Sequence, residues 1–94
     1  MAYFVITYDV RARPGHSYEP LYEWLNNSEA AHLQNSVWLL DIALTAIQVR
    51  EAMKPHMHND DTWCVLEIFH NSMWGTWRAR ETGVDWLKAR MAQQ

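Results

Sequence analysis

Residues 3 to 10 read Tyr-Phe-Val-Ile-Thr-Tyr-Asp-Val, a nearly unbroken apolar run with one carboxylate, Asp9, beside its end. A buried strand gains nothing from an aspartate, because desolvating an unpaired carboxylate costs several kcal/mol. Two uses follow. Asp9 sits at the strand mouth and binds a cation or a partner, or it fastens the following loop by bonding to amides or pairing with Arg11 or Arg13. A catalytic Mg²⁺ or Mn²⁺ takes one or two carboxylates, with waters and substrate phosphates completing the shell. A two-fold dimer would supply the second carboxylate by symmetry, so metal chemistry at Asp9 calls for two chains.

Other residues of chemical type are less well arranged. His56-Met57-His58-Asn59-Asp60-Asp61 is a run of metal-ligand types. Its histidines are spaced i, i+2, which does not place them on one helical face, and zinc sites need three or four convergent ligands. His16, His32 and His70 are scattered, with no nucleophile motif beside them. With three glycines in the chain there is no Gly-rich phosphate loop. The single Cys64, inside an apolar run, reads as a small core residue and supports no disulfide framework. Trp74 and Trp77 have faces on which bases stack, but the simpler use is to fill the seam between a terminal helix and a sheet.

The chain has 94 residues and reads as one domain over 1–94. Its 49% hydrophobic content and six tryptophans make a core of large side chains. No apolar stretch nears the roughly 18 residues of a membrane span, and no secretory signal is evident, so no membrane partner and a cytoplasmic location are expected. A net charge of −3 argues against a strongly basic nucleic-acid surface. Through Trp77 there are four basic residues against nine acidic; Arg78, Arg80, Lys88 and Arg90 then face Glu81 and Asp85. An anion-binding surface would draw on this C-terminal segment, with Arg11 and Arg13.

These residues must be positioned by a short series of elements. A strand over Tyr3–Val10 is followed by a Pro14-Gly15 turn. Ser17 reads as an N-cap, Pro20 suits a first helical turn, and Leu21, Trp24, Leu25 and Ser28 extend a helix to about Ala31. His32 to Ala43 reads as two short strands divided by a tight reversal. Thr45 to Gln48 fits a capping box, with Ala46, Val49, Met53 and Met57 on one face of a second helix that Pro55 ends or tightens. The acidic turn at residues 59–61 leads into a strand over Thr62–Phe69, and after an irregular stretch Thr82 and Asp85 open a helix to Met91 with Val84, Leu87 and Met91 inward. The order is β-α-β-β-α-β plus a helix: an α+β, ferredoxin-like βαββαβ sandwich with an added C-terminal helix. Both helices of that core cover one sheet face. The strands are nevertheless apolar on both faces, Phe4 and Ile6 against Tyr3 and Val5, so the open face needs cover. A second copy of the chain is the expected cover, and the C-terminal helix is the alternative.

Three features coincide: Tyr8-Asp9-Val10 ending the first strand, Gln34-Asn35-Ser36-Val37-Trp38 in the second strand region, and the acidic turn before the last strand. In this the chain resembles the small CRISPR-associated adaptation protein (Cas-two type) superfamily. It resembles more closely its short solitary SinR-like bacterial relatives, through Pro14, Gly15 and Tyr18, Ser36 to Leu39, and Lys54 to His56. The resemblance covers roughly residues 3 to 69. It implies a ferredoxin-like homodimer with two copies of Asp9 near the two-fold axis, and at Asp9 a catalytic and metal-binding role, with Mg²⁺ or Mn²⁺, in a nuclease acting on RNA or DNA. Arg11 and Arg13 are the candidate nucleic-acid contacts; Gln34 and Ser36 are structural. The alternative is a non-catalytic dimeric interaction module of the same fold.

Overall fold

A computed structural model of the protein describes residues 2–11 and 13–92. Along the chain run β1 (Ala2–Asp9), α1 (Glu19–Asn27), β2 (Ala31–Gln34), β3 (Val37–Ile42), α2 (Ala46–Met53), a 3₁₀ turn (Lys54–His56), β4 (Thr62–Ile68) and α3 (Glu81–Arg90). The four strands form one sheet in the order β2-β3-β1-β4, antiparallel throughout. The molecule is therefore of mixed α+β class, and its order and pairing are compatible with a ferredoxin-like arrangement. Among the described residues, no helix is long and apolar enough to cross a membrane.

Local chemistry explains most element boundaries. Thr45 and Gln48 form the reciprocal capping box that opens α2: the Gln48 N–H donates to Thr45 Oγ1 and the Thr45 N–H to Gln48 Oε1. Lys54-Pro55-His56 tightens into the 3₁₀ turn, as the missing proline N–H and the restricted residue before it require. α1 begins one residue after Tyr18, and Ser17 still accepts the Glu19 N–H at 3.2 Å. It stops at Asn27, short of Ala31, because Glu29 turns left-handed (φ 59°) and Ala31 enters β2.

Alternation along β1 sorts two cores. Phe4, Ile6 and Tyr8 join Trp38 and Leu40 of β3, beneath Leu21 and Leu25 of α1 and Val49 and Met53 of α2. Each of the fully buried aliphatic side chains contributes about 1.5–3 kcal/mol by leaving water. On the opposite face Tyr3 and Val5 pack with Leu39 beneath Trp86, Leu87 and Met91. The segment after β4 crosses this face, and α3 returns along β2. Arg80 N–H donates to the Leu33 carbonyl at one end, and Ala92 N–H to the His70 carbonyl at the other. The second face is thus covered over its β2–β3 half by α3, and a partner subunit is not needed to bury Leu39. Trp86 is the large anchor of this layer, edge-on to Tyr3 at 5.5 Å; Leu87 and Met91 point inward as expected, and Val84 is half-buried. The β4 side stays open, so Cys64 is exposed rather than a core residue.

Candidate functional site

Antiparallel pairing of β1 with β4 sets Asp9 directly opposite Thr62. The β1–α1 loop and the loop entering β4 therefore meet at one end of the sheet. Gly15 makes the first of these loops reverse: its φ of +79° lies where a side chain is strained. The reversal brings the His16 N–H to the Arg13 carbonyl at 3.3 Å.

Asp61 ties the two loops together. Its side chain has no exposed surface. Oδ2 accepts the Tyr18 hydroxyl at 2.6 Å and the His58 N–H at 2.7 Å, while Oδ1 accepts from the Arg13 guanidinium at 3.4 Å. Burial opposes its ionisation, yet the Tyr18 hydroxyl, the His58 amide and Arg13 outweigh that and hold its carboxyl below the usual carboxylate range. Burial, with donation to that carboxylate, pushes the Tyr18 hydroxyl up. His16 lies edge-on between Tyr18, at 4.6 Å, and His58, at 5.6 Å. His58 Nδ1 accepts the Asp60 N–H at 3.1 Å. This imidazole therefore serves the turn.

The three residues singled out from the sequence come together, though not as equals. Asp9, Arg11 and Arg13 line one depression of about 250 Å³ with Asp60 and Thr62. A second hollow of about 280 Å³ begins at the same Asp9–Thr62 pair and continues past Thr7 and Cys64. Asp9 is exposed and, among the described residues, makes no side-chain hydrogen bond or ion pair. It does not pair with Arg13. That guanidinium turns instead to Asp61 and, at 3.8 Å, to Asp60, leaving its side chain 24% exposed. Arg11 is exposed with no ion pair among the described residues. Asp60, 73% exposed and 3.8 Å from the Arg13 guanidinium, is a second carboxylate lining the same depression as Asp9 within a single chain.

No group of three or more His, Cys, Asp or Glu side chains able to hold a metal occurs among the described residues. Asp9 and Asp60 are the carboxylates of this depression that could contact a cation, with substrate phosphates completing its shell. The remaining candidates disperse. Arg80 bonds to Asn35, and Arg90 pairs with Asp41 at 2.9 Å while stacking on Trp86, so half of the C-terminal cations are committed elsewhere. The Ser36 main-chain carbonyl accepts the Tyr8 N–H at 3.1 Å. Trp74 fills the seam, donating to the Ala92 carbonyl, whereas Trp77 stands 88% exposed. Asp61 and Tyr18 were the residues sequence reasoning missed; an aspartate three residues after His58, just ahead of an apolar strand, is the turn-closing pattern that marks Asp61. Among known proteins, no family model, no curated protein and no solved structure matches this chain.

Proposed function

We propose that this protein is a nucleic-acid-binding homodimer of ferredoxin-like fold that cleaves phosphodiesters with Mg²⁺ or Mn²⁺ at Asp9, in the manner of the small CRISPR-associated adaptation proteins and their solitary relatives, in the cytoplasm. One observation carries the reading: an unpartnered carboxylate at the end of a central strand shares a depression with Asp60, Thr62, Arg11 and Arg13. Asp9 and Asp60 would hold the cation, which when bound would polarise a phosphoryl oxygen. Arg11 supplies a free guanidinium for the phosphate backbone. Arg13, committed to Asp61, sets the loop that carries Arg11. A water oxygen bonds to phosphorus as the bond to the leaving oxygen breaks, and that oxygen takes up the proton.

Incubation with RNA and DNA in Mg²⁺ or Mn²⁺ tests this. Cleavage should require the metal and fall by about a hundredfold or more in Asp9→Ala, the scale of losing a principal catalytic group; cleavage that survives Asp9→Ala sinks the assignment. A second reading, a non-catalytic dimeric interaction module, is favoured by the engagement of Arg13 with a buried acid rather than with solvent. Tight, salt-sensitive nucleic-acid binding counts against it.

A further inference from the structure

The two edges of the sheet are finished differently. β2 has four residues and a bulge between His32 and Gln34. Its carbonyls are taken up by the C-terminal segment, Leu33 by the Arg80 N–H and His32 by the Thr82 hydroxyl at 3.1 Å. β4 has no such finish. Its seven residues run against β1 without a bulge, contain neither Pro nor Lys, and among the described residues have no main-chain partner on the outer side. Proteins that keep long edges single blunt them with bulges, Pro and charged side chains, Lys above all; of these β4 carries one charge, Glu67.

We propose that β4 pairs edge to edge with β4 of a second copy, antiparallel about a two-fold axis at Val65, making a continuous eight-stranded sheet from two four-stranded ones. Residues Thr62 to Ile68 are symmetric about Val65, so every residue of the strand finds an opposite. On the helix-covered face Val65 meets Val65, with Ile47 (63% exposed) beside each. Glu67, the strand's one charge, meets Trp63 of the second copy, whose surroundings are Arg50, Glu51 and Lys54. The two-fold repeats that meeting of an acid with a net positive margin, and never sets Glu67 against Glu67. On the other face Leu66, 54% exposed, meets Cys64. Apolar contact in the middle and opposite charge at both flanks commit the edge to a second copy rather than to an unrelated strand.

The inference rests on the homodimer in the function proposed above and specifies its surface. The two fail separately, because Asp9→Ala removes cleavage and leaves the molecular mass unchanged. Sedimentation of the full chain over a wide concentration range should give a monomer–dimer equilibrium. Leu66→Lys and Glu67→Lys, both at exposed positions, should each weaken it by about tenfold or more. Adding Arg50→Glu and Lys54→Glu to Glu67→Lys should restore it. Leu66→Cys puts a new thiol opposite native Cys64, so mild oxidation should yield a covalent dimer. Thr62→Cys, opposite Ile68, should not. A monomer at every concentration, or a dimer indifferent to Leu66→Lys and Glu67→Lys, overturns the proposal.

Discussion

Two buried acids of very different strength mark opposite limits of stability. Asp61 is held below its ordinary value of 3.8 despite burial, by the groups that donate to it. Its contribution is therefore fully present above that ordinary value and is lost as pH falls through the lower, folded one. Tyr8 behaves in the reverse sense. Burial pushes it up from 10.0 to about 12, outweighing the Trp38 indole, which donates to its oxygen at 2.9 Å and favours the ionised form. Its contribution is intact below pH 10.0 and disappears as pH rises toward about 12. Thermal melts across pH should lose stability at both ends, and absorbance titration should show Tyr8 ionising late, with Tyr18 also delayed beyond its ordinary value. Tyr8→Phe should remove the component near pH 12 and leave the delayed one that Tyr18→Phe removes; a component near pH 12 that survives Tyr8→Phe would contradict the assignment. At this scale the sequence was legible for position, since the single carboxylate in the Tyr3–Val10 run does stand at the end of β1. It was silent where function depends on which of several acids a loop folds over: Asp60 and Asp61 are chemically identical neighbours, one solvated and one sealed.

α3 lies against β2 because Gly83 has no side chain. A Cβ there would stand 2.7 Å from Leu33 Cα and 2.9 Å from the His32 carbonyl oxygen. Gly→Ala in a free helix is favourable by up to about 1 kcal/mol, but here backbone would have to yield. Gly83→Ala is therefore expected to destabilise by about 1–3 kcal/mol, lowering the melting temperature by about 4–8 °C for each kcal/mol. A higher melting temperature in that variant would show that α3 does not seat at Leu33. Element existence was readable from Thr45 and Gln48, from Pro55, and from the apolar run of β4, since each signal is local. The seating of α3 was not. Its buried anchor, Trp86, is out of step with the Val84–Leu87–Met91 stripe, and it packs edge-on against Tyr3, far away along the chain, with Arg90 of its own helix over its ring.

Across the whole molecule, the segment after β4 with α3 forms a layer laid over a sheet that is complete without it. Hydrogen exchange should show α3 and the segment over 69–80 opening together, ahead of the central strands β1 and β3. Trp86→Ala, a loss of about 3–5 kcal/mol from this layer's core, should accelerate exchange in α3 while β1 stays protected. Equal loss in β1 would mean the two layers unfold as one unit. That the sheet is apolar on both sides could be read directly from the alternation of Phe4 and Ile6 with Tyr3 and Val5. What covers the second side could not, because a terminal helix and another subunit satisfy the same pattern.

Greasy side chains on both faces leave β1 with little to distinguish its native alignment from one slipped by a single residue, since either alignment presents hydrocarbon to both layers. Thr7 and Asp9 break the tie. A slip would drive them into the layer of Leu21 and Met53, where neither has a bonding partner. The polar end of this strand thus doubles as an alignment stop while the chain folds, whatever chemistry it later serves.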